Sequence, residues 1–167
     1  MCIRDSDYPR LDVPDEYVRP GDVIFVLPGI YPQFFCFTCP KEVKYIGTRA
    51  ENTIIDGSGI WWGIGVPNNI VISGFTITNA GWLELSQKFA FNVVITGNII
   101  KTSGRGLLLW GASNIEITNN IINSYDAGIE IVESSGIKVK NNLIYGHNRG
   151  ISIETVSYTH LTLPTKA

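Results

Sequence analysis

The sequence predicts an all-β fold in which short parallel strands coil into a solenoid of about five turns, each of roughly 22 residues. A similar segment recurs three times at a spacing of 22 residues, as NVVITGNII at 92–100, NIEITNNII at 114–122 and GIKVKNNLI at 136–144. Within each copy apolar residues alternate, which is the period of a strand and not of a helix. A fixed period of this size indicates stacked units, none of which can bury its apolar face alone.

The first predicted strands come before the regular repeats. Residues 23–27 form an apolar run that is ended by a Pro-Gly pair. Residues 43–46 and 53–55 are two further strands, and residues 47–52 are the loop between them. A looser copy of the repeat, NIVISGFTI, begins at Asn69. The solenoid therefore begins before the exact period becomes visible.

Each regular turn contains three predicted strands. The second strand is followed by a tight corner, then by the third strand, and then by a loop that leads to the first strand of the next turn. Second strands are predicted at 115–117 and 137–139, third strands at 121–122 and 143–144, and first strands at 83–85, 107–109, 129–131 and 151–153.

Asparagine recurs at the corner between the second and third strands, at Asn98, Asn120 and Asn142. A sharp corner needs a residue that tolerates left-handed backbone angles, and asparagine does. Its amide can also bond to the equivalent amide of the next turn, about 4.8 Å away. We therefore expect these three residues to form an inward ladder, with glycan binding as the alternative role.

The alternation also predicts which side chains enter the core. We expect nine aliphatic side chains to point into one continuous core: Ile115, Ile117, Ile121, Ile129, Ile131, Ile137, Val139, Ile144 and Ile151. Glu116 and Lys138 are outward positions on neighbouring second strands. They should lie side by side across adjacent turns.

Two N-terminal segments and the repeats resemble a known family. Residues 19–33 (RPGDVIFVLPGIYPQ) and 41–59 (KEVKYIGTRAENTIIDGSG) are similar to the opening turn of right-handed parallel β-helix proteins. The repeats after Asn69 resemble the later turns of the same superfamily, which includes pectate-lyase-like polysaccharide enzymes and the periplasmic accessory family of nitrous-oxide-reductase maturation. The resemblance implies a right-handed parallel β-helix over residues 19–155. It also implies a secreted, periplasmic or cell-surface location.

Both ends of the chain are expected to be sequencing-adaptor scars. Residues 1–5 (MCIRD) can be encoded by ATG TGT ATA AGA GAC, whose reverse complement encodes residues 156–160 (VSYTH). A single adaptor sequence, read on both DNA strands, then accounts for residues 1–6 and 156–167. On this interpretation residues 7–155 are a β-helix fragment truncated at both ends, and any signal peptide lies outside the window.

Composition excludes several classes of partner. Lys and Arg number 13 against 15 Asp and Glu, a net charge of −2, which is no footprint for nucleic acid. No apolar run is long enough to span a bilayer. Cys36 and Cys39 form a single CxxC, which is weak evidence for a metal or redox site, and we expect buried thiols instead. No particular residue is predicted to be a metal ligand.

Charged side chains recur on the loops before the first strands and on the outward face of those strands. Asp126, Glu130, Arg105 and Arg149 are the catalytic candidates and are expected to face one shared groove. Carboxylates beside an arginine or a cation suit elimination or hydrolysis of acidic sugars. The resemblance adds Ca²⁺ held by carboxylates as a possible cofactor. The candidates for substrate contact are Trp110, Glu84 and His147.

The sequence therefore favours an extracytoplasmic carbohydrate-active or carbohydrate-binding protein. If it is an enzyme, it would act on acidic polysaccharides as a lyase or hydrolase. The first alternative is a non-catalytic surface β-helix whose charges form a solvated face. The second is a metallocentre-maturation accessory protein, which would need exposed His, Met or Cys ligands. Residues 7–155 contain one histidine and no methionine, which disfavours that alternative.

Overall fold

The structure, a computed structural model, describes residues 2–3, 18–32, 42–58, 64–65, 68–85, 90–146, 148–154 and 158–162. Every regular element within these residues is a β-strand, and every strand pair is parallel. The strands, numbered in chain order, form three sheets that we call A, B and C.

Each sheet is a column of strands contributed by successive turns. Sheet A contains, in spatial order, β1 (Cys2–Ile3), β2 (Val23–Val26), β4 (Val43–Gly47), β7 (Ile70–Ser73), β10 (Phe91–Thr96), β13 (Ser113–Thr118), β16 (Ser135–Lys140) and β19 (Tyr158–Thr162). Sheet B contains β3 (Gly29–Pro32), β5 (Thr53–Asp56), β8 (Thr76–Ala80), β11 (Ile99–Thr102), β14 (Ile121–Asn123) and β17 (Leu143–Tyr145). Sheet C contains β6 (Ile64–Gly65), β9 (Leu83–Leu85), β12 (Leu107–Trp110), β15 (Ala127–Val132) and β18 (Arg149–Glu154).

From β4 onward the chain visits sheets A, B and C in turn and then returns to sheet A. This produces a β-solenoid of about five turns, with about 22 residues in each regular turn, which confirms the predicted fold class. The register follows the repeat: Ile115 pairs with Ile137, and Ile117 with Val139. Because each turn lies directly on the previous one, equivalent residues stack in columns.

One continuous core fills the solenoid. Six of the nine predicted core residues are buried, and Ile144 and Ile151 are partly buried and pack against the core. The prediction for Ile121 is wrong, since 38% of this side chain is exposed. The preceding residue, Asn120, already points inward, so the alternation turns Ile121 outward and Ile122 inward.

The left-handed angles at the corner belong to the residue before the ladder asparagine. Gly97, Asn119 and Asn141 have φ values of 65°, 57° and 55°, whereas no ladder asparagine has a positive φ. The expectation that the ladder residues themselves take the left-handed angles is therefore wrong. One residue turns the chain, and the next one carries the inward amide.

The ladder itself consists of side-chain and backbone hydrogen bonds between turns. The Asn98 Nδ2 donates to Asn120 Oδ1 at 3.1 Å, and the Asn120 Nδ2 donates to Asn142 Oδ1 at 3.0 Å. The backbone N–H groups of Asn98 and Asn120 donate to the same two oxygens. Burial of all three side chains leaves them unsuited to contact a glycan.

A second asparagine ladder, not foreseen from the sequence, lies near the start of the strands of sheet A. Asn69, Asn92 and Asn114 have φ values of 53°, 55° and 54°, which are left-handed. The Asn92 Nδ2 donates to Asn69 Oδ1 at 2.9 Å, and the Asn114 amide donates to Asn92. The sequence marks Asn92 and Asn114 as repeat positions, but a turn role already accounts for that spacing.

Sheet A also holds the predicted outward charge pair and two terminal strands. Lys138 Nζ lies 3.1 Å from Glu116 Oε1 and the two residues are in register, which confirms that prediction. Strand β1 pairs with β2, and β19 pairs with β16. Both terminal strands lie in the segments that the sequence assigns to adaptor. The segment VSYTHLTL alternates and is rich in β-formers, which accounts for its pairing.

Candidate functional site

The outer face of sheet C carries the candidate site. Its central outward positions are Glu84, Leu108, Glu130 and Ser152, which the strand register aligns in one column. Parallel pairing brings equivalent residues of neighbouring strands to about 4.8 Å, so these side chains are immediate neighbours. The loops before the same strands supply Arg105, and thereby bring a cation next to the carboxylates.

Arg105 and Glu130 form an ion pair across adjacent turns. Only 7% of Glu130 is exposed, although it points outward from its strand, and the Arg105 Nε and Glu130 Oε2 atoms that face each other are both shielded from solvent. Leu108 and Ser152 flank the carboxylate on the neighbouring strands. Glu130 is an outward catalytic candidate in the sequence, and in the structure Arg105 and the neighbouring strands cover its carboxylate.

The same arginine also contacts an aromatic ring. The Arg105 guanidinium carbon lies 5.8 Å from the centre of the Trp82 ring, within the range of a cation–π contact. Arg105 therefore bridges Trp82 in the preceding turn and Glu130 in the following one. Two partners hold its long side chain in one position.

A second ion pair lies on the loops that lead into β15 and β18. Arg149 Nη2 is 3.3 Å from Asp126 Oδ1, and Arg149 Nη1 donates to the Ser152 hydroxyl at 3.3 Å. The backbone N–H of Asp126 donates to Gly104 O, and that of Asn148 donates to Asp126 O, both at 3.0 Å. These bonds hold the loops of adjacent turns in register and set Asp126 beside Arg149.

Two tryptophans, one just before β9 and one at the end of β12, each donate a hydrogen bond to a carboxylate. The Trp82 Nε1 donates to Glu84 Oε2 at 3.2 Å, and the Trp110 Nε1 donates to Glu133 Oε2 at 3.3 Å. Trp82 is half-buried, whereas 54% of Trp110 is exposed. Each hydrogen bond fixes the orientation of an indole ring, so that the face of Trp110 is presented to solvent in a defined position.

Carboxylates outnumber cations on this side of the solenoid. The described residues of sheet C and its adjoining loops and corners include two cations, Arg105 and Arg149, and five acidic residues, Glu84, Asp126, Glu130, Glu133 and Glu154. Both arginines are engaged by carboxylates of the same face. Among the described residues of this face, acidic side chains therefore outnumber basic ones.

The four catalytic candidates lie on the same side of the molecule but in two separate pairs. Among the described residues, no hydrogen bond or ion pair joins the Arg105–Glu130 pair to the Arg149–Asp126 pair. Both arginines are engaged within the protein, which differs from the expected arrangement in which they point at a ligand.

The remaining candidates have different outcomes. Glu84 and Trp110 lie on sheet C, whereas His147, like Cys36 and Cys39, lies outside the described residues. Within the described part of the chain, no group of three or more His, Cys, Asp or Glu side chains could hold a metal ion.

Sequence reasoning missed two contributors, Trp82 as the partner of Arg105 and Glu133 as the partner of Trp110. Glu133 lies 23 residues after Trp110, which is one turn later, so the repeat spacing was the available signal. Strand β12 is paired with β9 at an offset of 24 residues and with β15 at an offset of 22, so a strict period of 22 residues does not align Trp82 with Arg105.

Comparison with known proteins identifies the fold. The family described as the right-handed β-helix region matches residues 43–163. No curated protein and no solved structure matches the chain significantly. Within the residues described, no helix has the length and apolar character needed to cross a membrane.

Proposed function

Because this chain belongs to the right-handed β-helix family, we propose that it is an extracytoplasmic protein whose sheet C face binds a polysaccharide. One observation carries the proposal: Trp110 is exposed on the outer face of a sheet while its indole N–H is held by Glu133. An indole face packs well against the apolar C–H face of a sugar ring, and the polar edge keeps its hydrogen-bond partner.

The surroundings of Trp110 support a role in binding more than a role in stability. A tryptophan that serves the core is buried, and an exposed large aromatic side chain on a rigid strand is the more unusual observation. Strand β12 lies between β9 and β15, and Trp110 itself pairs with Val132 of β15. A rigid site loses little conformational entropy when it binds its ligand.

The Asp126–Arg149 pair favours catalysis as a second candidate function. Both side chains are accessible, at 38% and 46% exposure, unlike the shielded Glu130. A lyase or hydrolase acting on an acidic sugar would use such a carboxylate and cation. The test is release of reducing ends and unsaturated products from polygalacturonate and alginate, with Asp126→Asn as the inactive variant. The absence of any product from either polymer would remove this candidate.

The binding proposal is tested with immobilised polysaccharides of several classes and calorimetry on those retained. Trp110→Ala should weaken binding about tenfold, which corresponds to about 1.4 kcal/mol. Tyr145→Ala is the matched control, because Tyr145 is an aromatic residue on sheet B with 43% exposure. Equal effects of the two substitutions, or binding by neither parent nor variants, would overturn the proposal.

A further inference from the structure

We infer that a separate small-ligand site lies at the start of sheet A and takes one sugar ring with vicinal hydroxyl groups, either a free monosaccharide or the end of a chain. The site is a pocket of about 270 Å³, and its polar lining residues are Glu42, Lys44, Asn69 and Asn92. It lies on a different sheet from Trp110 and does not depend on the polysaccharide site proposed for sheet C.

The backbone of Glu42 is the first observation. Strand pairing aligns Glu42 with Asn69, Asn92 and Asn114 in one column across four turns. All four residues have left-handed angles, and the φ of Glu42 is 73°. Asparagine tolerates these angles, whereas glutamate adopts them only with strain. A glutamate at a position that asparagine fills in the following turns points to a use for its carboxylate beyond turning the chain.

The second observation is a free amide donor at the end of the asparagine ladder. Each amide nitrogen of this ladder donates to the turn before, Asn114 to Asn92 and Asn92 to Asn69, the latter at 2.9 Å. In the same orientation the Asn69 nitrogen points toward the turn of Glu42. Within the described residues, neither this nitrogen nor the side chains of Glu42 and Lys44 have a hydrogen bond or an ion pair. Three polar groups around one pocket are therefore available to a ligand.

The chemistry of these groups matches hydroxyl groups. The Glu42 carboxylate only accepts hydrogen bonds, whereas the Lys44 ammonium and the Asn69 nitrogen only donate them. A ligand with acceptors alone would leave Glu42 without a donor, and a ligand with donors alone would leave the other two without an acceptor. A hydroxyl group both donates and accepts, so two neighbouring hydroxyls satisfy all three groups. Val71, which is half-buried and lines the same pocket, offers an apolar contact to the C–H groups of a ring.

The size of the pocket limits the ligand to about one ring. Sites for small molecules usually enclose about 300–1,000 Å³, and this pocket lies just below that range. Lys44 pairs with Val71, so the pocket spans two strands that are about 4.8 Å apart. None of the residues that line it is aromatic. Without a stacking surface, we expect weak binding, with a Kd of roughly millimolar order.

The test is an NMR titration of the full chain that follows the Asn69 side-chain amide and the Lys44 backbone N–H. The probes are glucose, galactose and mannose, their methyl glycosides, and free glycine as a zwitterion that supplies both donors and acceptors. We expect at least one sugar to shift both signals. Similar affinity for its methyl glycoside would identify the end of a chain as the ligand, and at least about tenfold weaker binding of the glycoside would identify the free monosaccharide. Binding of no sugar, or tighter binding of glycine than of every sugar, would overturn the inference.

Glu42→Asn separates a role in binding from a role in folding. Asparagine fits the left-handed backbone, so the urea midpoint should stay equal or rise, while sugar affinity should fall at least about tenfold. Glu51→Gln is the matched control, because it removes an exposed carboxylate beyond the other end of β4 and should change neither property. Trp110→Ala should leave this site unchanged, so that failure here and failure on sheet C are distinguishable. Undiminished sugar binding by Glu42→Asn would show that the carboxylate does not contact the ligand, and the inference would be wrong.

Discussion

Single polar side chains lock the turns of this solenoid together at the residue scale. Asn120 is 1% exposed, and its amide nitrogen donates to Ile95 O in the turn before and to Asn142 Oδ1 in the turn after. Its Oδ1 accepts two bonds from Asn98. Such an amide connects three turns at once, which explains why asparagine recurs at this position while the residue before it varies between glycine and asparagine.

Replacing Asn120 by alanine should therefore destabilise the protein strongly. The Ile95 carbonyl would lose a donor, and the Asn98 backbone N–H would lose its acceptor, at about 1–3 kcal/mol for each buried group left unpaired. We expect the free energy of unfolding from urea titration to fall by roughly 2–5 kcal/mol. Asn119→Gly is the control, since Asn119 is exposed with a left-handed φ of 57° that glycine also adopts. A similar loss in both variants would contradict the role of the inward amide.

Asp56 makes a pH-dependent contribution to the stability of the folded protein. Hydrogen bonds from the Ser58 hydroxyl, at 2.7 Å, and from the Asn79 amide, at 2.9 Å, lower the pKa of Asp56 below its ordinary value of 3.8. A lowered pKa contributes stability above the unfolded-state value, and this stability is lost as the pH falls through the folded-state value. Carboxyl NMR titration should therefore show the pKa of Asp56 rising in Ser58→Ala. An unchanged titration curve would contradict this cause.

The Arg105–Glu130 and Glu116–Lys138 ion pairs should differ in strength. The Arg105–Glu130 pair is shielded, with the carboxylate side chain 9% exposed, whereas Glu116 and Lys138 are 39% and 48% exposed. Double-mutant cycles should give a coupling of about 1–3 kcal/mol for the first pair, whose facing atoms are shielded from solvent, and about 0.2–1 kcal/mol for the second. Added salt should weaken the second more than the first. Equal couplings would mean that solvent reaches Glu130.

At the scale of strands and corners, the sequence predicts what periodicity controls and fails where a corner resets the phase. Alternation predicts the core of the second strands, as with Ile115 and Ile117, because six-residue strands carry several apolar positions. The third strands have only about three residues, so their phase depends on the preceding corner. The apolar character of Ile121 predicts an inward side chain, but Asn120 next to it already occupies the inward position.

Glycine at the entry to sheet C illustrates a constraint between turns. Gly106, Gly128 and Gly150 recur 22 residues apart in the sequence, but this spacing does not show why glycine is needed. A Cβ added at Gly128 would collide with the Ile144 side chain and would lie 2.6 Å from the Gly150 carbonyl oxygen of the next turn. The backbone of two stacked turns approaches too closely here for any side chain.

Gly128→Ala should accordingly destabilise the protein by about 1–3 kcal/mol, the usual cost of overpacking a tight site. Chemical denaturation measures the loss. Gly111→Asn is the control, because a Cβ at Gly111 meets nothing within 4 Å and asparagine tolerates its φ of 63°. If Gly128→Ala unfolds at the same denaturant concentration as the parent, the turns can separate locally without cost.

At the scale of the whole molecule, the repeat predicts the solenoid, but the distribution of charge across its faces depends on contacts that the repeat does not encode. The position of Arg105, for example, depends on the length of the loop before β12. Arg105 pairs with Glu130 because the next turn stacks directly on its own turn. The repeat aligns four charged residues on one side of the molecule, and their pairing with one another depends on the three-dimensional structure. A periodic sequence determines which residues stack in a column across the turns. The length of each side chain determines which residues of adjacent columns are in contact.

The last strands of the sheets have a consequence for self-association. Among the described residues, sheets B and C finish at β17 and β18, whose outer edges pair with no further strand. Leu143, Tyr145 and Ile153 on these strands are 58%, 43% and 38% exposed. An open strand edge with apolar side chains is a template for pairing with another chain.

Residues 7–155 expressed alone should therefore associate end to end, because removal of β1 and β19 also opens both edges of sheet A. Light scattering at tens of micromolar should show a mass that rises with concentration. Ile153→Lys should shift the population toward monomer, since a charge on an edge strand opposes pairing. Val71→Lys, in the middle of sheet A where β7 is paired on both sides, should have no such effect. A monodisperse monomer that unfolds cooperatively would mean that the edges are protected within the fragment, and the open-edge argument would then fail.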